Sequence, residues 1–191
     1  MLAQRILFLI GIFSAATVGI ADTSTPTTLR KSPALSIVEP SGAETQLSHF
    51  KGKVIVLEFL FVRSPHCLQL ADMLNRLNRE LGPRGFQPVA IAFGPYAEPA
   101  VLINMVNHFK LTYPVGFTTS EKVDTYLGRQ GKERLKIPQM VVIDRRGIIR
   151  ATSGAKGDPK LENEASLGAF IENLLKENAS APERVPQKSE P

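Results

Sequence analysis

The chain has 191 residues but only one cysteine, Cys67, so no disulfide can form within it. Its core has to stand on apolar packing alone, which a chain of this length can supply. Tryptophan is absent and there are only three histidines. His49 and His108 show no ligand-like spacing to each other or to acidic residues, so neither a metal nor an organic cofactor is expected. Charge runs are missing as well. The formal charge of +5 comes from 23 basic and 18 acidic residues interspersed along the chain, which argues against a nucleic-acid footprint. No internal repeat is visible, and nothing after residue 21 is long and apolar enough to span a bilayer.

What is present begins with an export pattern. Met1 to Arg5 form a short basic start, Ile6 to Ile20 an apolar stretch, and Gly19-Ile20-Ala21 places small side chains at a cleavage position. The pattern predicts a signal peptide over residues 1–21 and a periplasmic or secreted protein. The apolar run, about fifteen residues, is shorter than the roughly 20 of a membrane span, so membrane contact is expected only if the signal stays uncleaved. Residues 22–33, rich in Ser, Thr and Pro, read as a flexible linker, and residues 179–191 as a disordered tail. The domain is expected over residues 34–178. In an oxidising compartment a lone cysteine is either a small buried hydrophobe or a thiol that reacts with something outside the chain.

Within the domain, strand and helix patterns alternate. Val54 to Phe61 is an apolar, β-branched run broken only by Glu58, which predicts a central strand buried on both faces. Leu70, Leu74, Leu77 and Leu81 then recur at helical spacing. Ser64 is a favoured N-cap and Pro65 a favoured first residue, so this helix is expected to start at Ser64 and to stop at Gly82-Pro83. Further strands are expected over 86–93 and 115–118, helices over 97–109 and 121–127, and a hairpin of 139–143 with 148–152 around the turn at 144–147. A last helix carries Leu167, Phe170, Ile171, Leu174 and Leu175 on one stripe. These elements make an α/β sandwich with a mixed sheet.

The segment Phe59-Leu60-Phe61-Val62-Arg63-Ser64-Pro65-His66-Cys67 resembles the active-site segment of TlpA/ResA-type thioredoxin-like proteins. There an apolar strand runs into Trp-Cys-Pro-x-Cys at a helix start. Leu47 to Lys53 is similar to the family's lead-in. Ile137-Pro138, followed by Gln139 to Asp144 and then Gly147, is similar to its cis-proline loop and closing hairpin. The likeness spans about residues 33 to 178. It implies a thioredoxin-like fold, a central mixed β-sheet flanked by helices on both faces, and client proteins that present thiols or disulfides.

Two departures narrow the chemistry. Arg63 stands where the family has Trp, and Ser64 where it has the nucleophilic Cys. A hydroxyl cannot join a disulfide, so an internal two-cysteine cycle is closed. The residues that remain are Cys67, Ser64, Glu58, Pro138 and His66. At N3 of its helix Cys67 meets free amides that favour a thiolate, whereas its place on the apolar face favours the neutral thiol. Ser64 is explained as an N-cap, with a bond to the Cys67 sulfur as the functional alternative. Glu58 matches the family's buried acid that assists proton transfer; the alternative is an edge carboxylate facing solvent. His66 resembles the histidine between the family's cysteines, or is idle. Pro138 implies a cis peptide facing the cysteine to which a client backbone can pair. Arg129, Lys132, Arg134 and Lys136 are either a basic rim or solvated loop residues.

Three functions stay open on this reading. One is a thioredoxin-like thiol oxidoreductase that forms mixed disulfides through Cys67 and needs an external thiol reductant. Another is an antioxidant, peroxiredoxin-like thiol peroxidase, because Ser64-x-x-Cys67 also resembles the peroxidatic motif of the AhpC/TSA group. Leu60 and Pro138 depart from that motif, standing where it has a proline and an activating arginine. The third is a peptide-binding module without redox chemistry.

Overall fold

In the computed structural model, residues 29–129 and 134–177 are described. The expected signal peptide, most of the linker, Lys132 and the tail lie outside them. Among the described residues no helix is long and apolar enough to cross a membrane.

The sheet is organised around a strand that is buried along its whole length, Val54–Leu60. Successive side chains point to opposite faces. Val54, Val56 and Leu60 enter one apolar cluster, and Ile55, Leu57 and Phe59 the other. Eight strands make one mixed sheet: β1 (Arg30–Lys31), β2 (Ser36–Val38), β3 (Glu44–Gln46), β4 (Val54–Leu60), β5 (Phe86–Ala92), β6 (Val115–Phe117), β7 (Gln139–Ile143) and β8 (Ile148–Thr152), in the order β1-β8-β7-β4-β5-β6-β2-β3. β4 runs parallel to β5 and antiparallel to β7, and β5 is parallel to β6. Helices α1 (Pro65–Leu81), α2 (Pro99–Phe109) and α4 (Glu164–Lys176) pack on the face that holds Val54 and Leu60, while α3 (Ser120–Leu127) covers the other through Val123 and Tyr126. This is the thioredoxin-like arrangement, with helices on both faces of a mixed sheet.

Several boundaries differ from the sequence reading, each for a local reason. Arg30 and Lys31, read as linker, form β1 against Ile149 and Ile148. The Arg30 guanidinium donates to the Tyr126 carbonyl at 3.0 Å, and the Ser32 and Tyr126 hydroxyls are 2.8 Å apart. An edge strand needs backbone partners rather than apolar side chains, so composition does not reveal it. The β2–β3 hairpin leaves no periodic pattern in the sequence, because each strand is only three residues long. Helix α2 starts at Pro99 rather than Ala97, since the residue before a proline is pushed out of the helical region, and Glu98 is extended (φ −117°, ψ 150°). Helix α1 does stop at Gly82-Pro83, with Leu81 its last residue and Gly82 its C-cap. Gly82 is right-handed and continues into a 3-10 turn, Gly82–Arg84. The reversal comes at Gly85, whose φ of 103° suits glycine and whose Cβ, if it had one, would meet the Arg145 guanidinium at 3.3 Å.

Candidate functional site

Where β4 ends, Val62 and Arg63 turn the chain into α1. Ser64 is extended (φ −88°, ψ 115°), as an N-cap must be, and its hydroxyl accepts the Cys67 amide at 3.4 Å. Pro65 takes the first helical position, where its missing amide costs nothing. The cap places Cys67 at N3, on the side of the first turn that faces the sheet, with no exposed surface.

Burial pushes the Cys67 thiol up from its ordinary value. The Ser64 hydroxyl, a backbone group of Phe61 and the amide of Cys67 itself pull the other way without reversing it, and the Glu58 carboxyl adds to the rise. Of the two influences weighed from sequence, desolvation outweighs the helix N-terminus, so the resting group is a neutral thiol.

Glu58 sits mid-strand between Ala90 of β5 and Met140 of β7, and is fully buried. Alternation puts it on the face shared with α1. The solvent-facing alternative is thereby excluded. Among the described residues, neither of its carboxyl oxygens has a hydrogen-bond partner. Desolvation holds its pKa well above the usual carboxylate range, which favours the neutral acid. Tyr113, which the sequence did not single out, lies within electrostatic reach. Its hydroxyl donates to the Ala71 carbonyl at 2.9 Å, and its pKa is pushed up mainly by burial, with the Glu58 and Asp72 charges contributing.

Register brings the third segment to the same end of the sheet. Phe59 pairs with Gln139, so the chain enters β7 beside the point where β4 leaves for α1. The Ile137–Pro138 peptide just before it is cis. The Gln139 side-chain amide donates to the carbonyls of Lys136 (2.8 Å) and Gly154 (3.1 Å), and the Lys136 amide donates to Ala155 at 2.9 Å. The loop is therefore tied to the segment after β8.

His66 is not aimed at the thiol. Its Nε2 lies 2.9 Å from Glu162, a carboxylate ahead of α4 that also faces Lys136 at 3.5 Å and accepts the Asp158 amide at 3.2 Å. Burial raises the Glu162 carboxyl, but His66, the Asp158 amide and Lys136 together hold it below its ordinary value. Of the other cations expected as a rim, Arg129 pairs with Asp124 at 2.9 Å and Arg134 is exposed. Neither His49 nor His108 joins the site, and the His108 ring packs edge-on against Phe109.

An aromatic corner completes the surface. The Arg63 guanidinium stacks 3.6 Å from the Tyr96 ring centroid, and the half-exposed Phe61 ring packs 4.8 Å from Phe93. Glu162, Tyr96 and Phe61 were not picked out as site residues. Phe61 reads as strand, and the other two lie in loops without a motif.

No curated protein matches the chain. Among solved structures, a thiol:disulfide interchange protein of the thioredoxin family from Chlorobium tepidum TLS superposes with a TM-score of 0.64 at 21% identity, covering 79% of this chain and 99% of that one. A thiol:disulfide interchange protein from Bacteroides sp. gives 0.59 at 16% identity over 78% and 91% of the two chains. A secreted Mycobacterium tuberculosis disulfide oxidoreductase homologous to E. coli DsbE gives 0.57 at 16% over 73% and 95%. At these identities the likeness establishes the thioredoxin-like fold. The sequence of residues 29–152, from the edge strand through the β4–α1 junction to the end of β8, matches the model of the AhpC/TSA family, and the chain belongs to that family.

Proposed function

We propose that this protein is an exported thiol oxidoreductase of the thioredoxin fold that engages the thiols or disulfides of exported client proteins through Cys67 alone. A signal over residues 1–21 delivers it to the periplasm or the exterior, with membrane attachment only if that signal is retained. The observation that carries the reading is the Ser64–Cys67 pair, in which a cap hydroxyl at the first turn of α1 accepts the amide of the one remaining cysteine and pulls the pKa of its thiol down.

In the reaction, the first turn of α1 opens, Cys67 loses its proton to water, and the thiolate attacks one sulfur of a client disulfide. A mixed disulfide forms and the second client sulfur leaves as a thiolate. A low-molecular-weight external thiol then attacks the client sulfur of that bond, releasing Cys67 and leaving the client joined to the small thiol. A second equivalent reduces that bond. Around this cycle, the Pro138 loop docks the client backbone, and Glu58 opposes the thiolate only in its ionised form, which burial disfavours. His66 instead braces α1 against Glu162.

Full burial of Cys67 favours a second reading, a client-binding module without turnover. The peroxidase reading has less support: positions 60 and 138 hold Leu and Pro, and the thiol is closed to solvent. The test is to incubate the native chain with glutathione disulfide and weigh it. An adduct on Cys67 that forms without denaturant supports the thiol function, whereas an adduct formed only on unfolding supports the binding module. In parallel, Ser64→Cys should acquire insulin-reducing activity; no gain over the unmodified chain would refute the inherited site.

A further inference from the structure

At the end of β4 opposite the thiol, a cavity of about 300 Å³ opens between β1, the 3-10 helix Leu47–Phe50 and the β7–β8 turn. Its size falls at the lower edge of the roughly 300–1,000 Å³ typical of ligand sites. Phe50, Ile55 and Ile143 give it apolar lining. Lys31, Lys51, Lys53, Arg145 and Arg146 also line it, against a single carboxylate, Asp144.

That carboxylate is already committed. Asp144 accepts the amides of Arg146 (3.0 Å) and Ile148 (2.9 Å) and pairs with the guanidinium groups of Arg146 and Arg150. Lys53 donates to Gln87 at 2.9 Å and stands 6.0 Å over the Phe50 ring. Lys31 and Lys51 are exposed and have no acidic partner among the described residues. The cavity thus joins uncompensated positive charge to an apolar wall. A free inorganic anion would leave the wall uncovered, and a neutral apolar molecule would leave the ammonium groups unused.

We propose that this cleft binds an anionic amphiphile, with one carboxylate or phosphate held by Lys31 and Lys51 and an apolar body against Phe50, Ile55 and Ile143. The site is independent of the thiol reading. Soluble amphiphiles and bilayer lipids share this chemistry, and the experiment separates them.

The full chain is titrated with octyl phosphate below its micelle threshold, by calorimetry and by amide NMR. The expected result is saturable binding with shifts at Phe50, Ile55 and Ile143. Affinity should fall about tenfold in Lys51→Glu, the scale of one charged contact, and further in Lys31→Glu/Lys51→Glu. Added salt should weaken binding, and inorganic phosphate and octanol should each bind at least about tenfold more weakly. Both lysines are exposed, so circular dichroism should show the fold retained. Equal binding by the double variant, equal binding of inorganic phosphate, or shifts confined to other residues would overturn the site. A second arm compares phosphatidylglycerol with phosphatidylcholine vesicles for both the native chain and the double variant, so that any association through residues 1–21 is common to the two proteins. A phosphatidylglycerol preference abolished in the double variant identifies a bilayer lipid as the source. With octyl phosphate bound and no such preference, the ligand is a soluble amphiphile. A preference that survives the double variant, without saturable octyl phosphate binding, would overturn the cleft in favour of diffuse surface charge.

Discussion

The backbone amide of Cys67 donates to the Ser64 hydroxyl at 3.4 Å, and the same hydroxyl lowers the pKa of the Cys67 thiol against the larger effect of burial. One side chain therefore serves both the helix and the sulfur. Replacing it separates the two roles. Ser64→Ala should cost about 1 kcal/mol of stability in urea denaturation, the usual worth of a cap. It should also move the thiol titration further up. A stability loss with the titration unmoved would leave Ser64 as a cap only.

In the native chain the Cys67 thiol should titrate above the roughly 8.5 of a free cysteine. Alkylation followed by mass against pH reads this directly. The rate at fixed pH should climb with sub-denaturing urea, because the thiol is reached only when α1 frays. A midpoint below the free value would mean that the helix N-terminus, not burial, governs the sulfur.

Glu58 has two buried oxygens without partners among the described residues, so an apolar residue of similar size should be better tolerated than the acid. Glu58→Leu is expected to stabilise the fold by about 1–3 kcal/mol, the cost of an unsatisfied buried polar group. The pH dependence has a definite sign. A carboxyl whose pKa is raised in the folded state keeps its proton there while the unfolded chain loses it, so stability declines as pH rises above the unfolded value of about 4.3. Urea midpoints measured from pH 4 upward should show this slope in the native chain and lose it in the variant.

Asp144 shows the opposite sign. Burial raises its carboxyl, but the amides of Ile148 and Arg146 and the guanidinium groups of Arg146 and Arg150 hold it below the ordinary value. A depressed folded pKa contributes stability that is present above the unfolded value of about 3.9 and lost as pH falls through the lower folded one. Asp144→Asn should remove that acid-labile portion and cost about 1.5–3 kcal/mol at neutral pH, the worth of charge-assisted hydrogen bonds. Thermal unfolding at pH 7 and at pH 3 would check both, and an equal penalty at the two values would contradict the assignment.

Local pattern carried much of this molecule. The unbroken apolar run of β4, the Ser64-Pro65 helix start and the stripe on α4 are properties of adjacent residues, and each element formed where its spacing indicated. The lone cysteine ruled out an internal disulfide before any fold was known. Which way the Cys67 thiol leans was not legible, because amide proximity can be read from helix position whereas desolvation depends on what packs over the turn. The same holds for Glu58, whose two readings differ only in whether the strand lies inside the sheet or at its edge. His66 meets Glu162, and Arg63 meets Tyr96, across separations that no motif encodes. The edge strand β1 was hidden for a related reason, since backbone pairing leaves no mark on side-chain composition. Short-range periodicity is written in the chain itself, while burial, charge pairing and sheet order arise only when distant segments meet; for this protein the first determined the elements, and the second determined the state of the thiol.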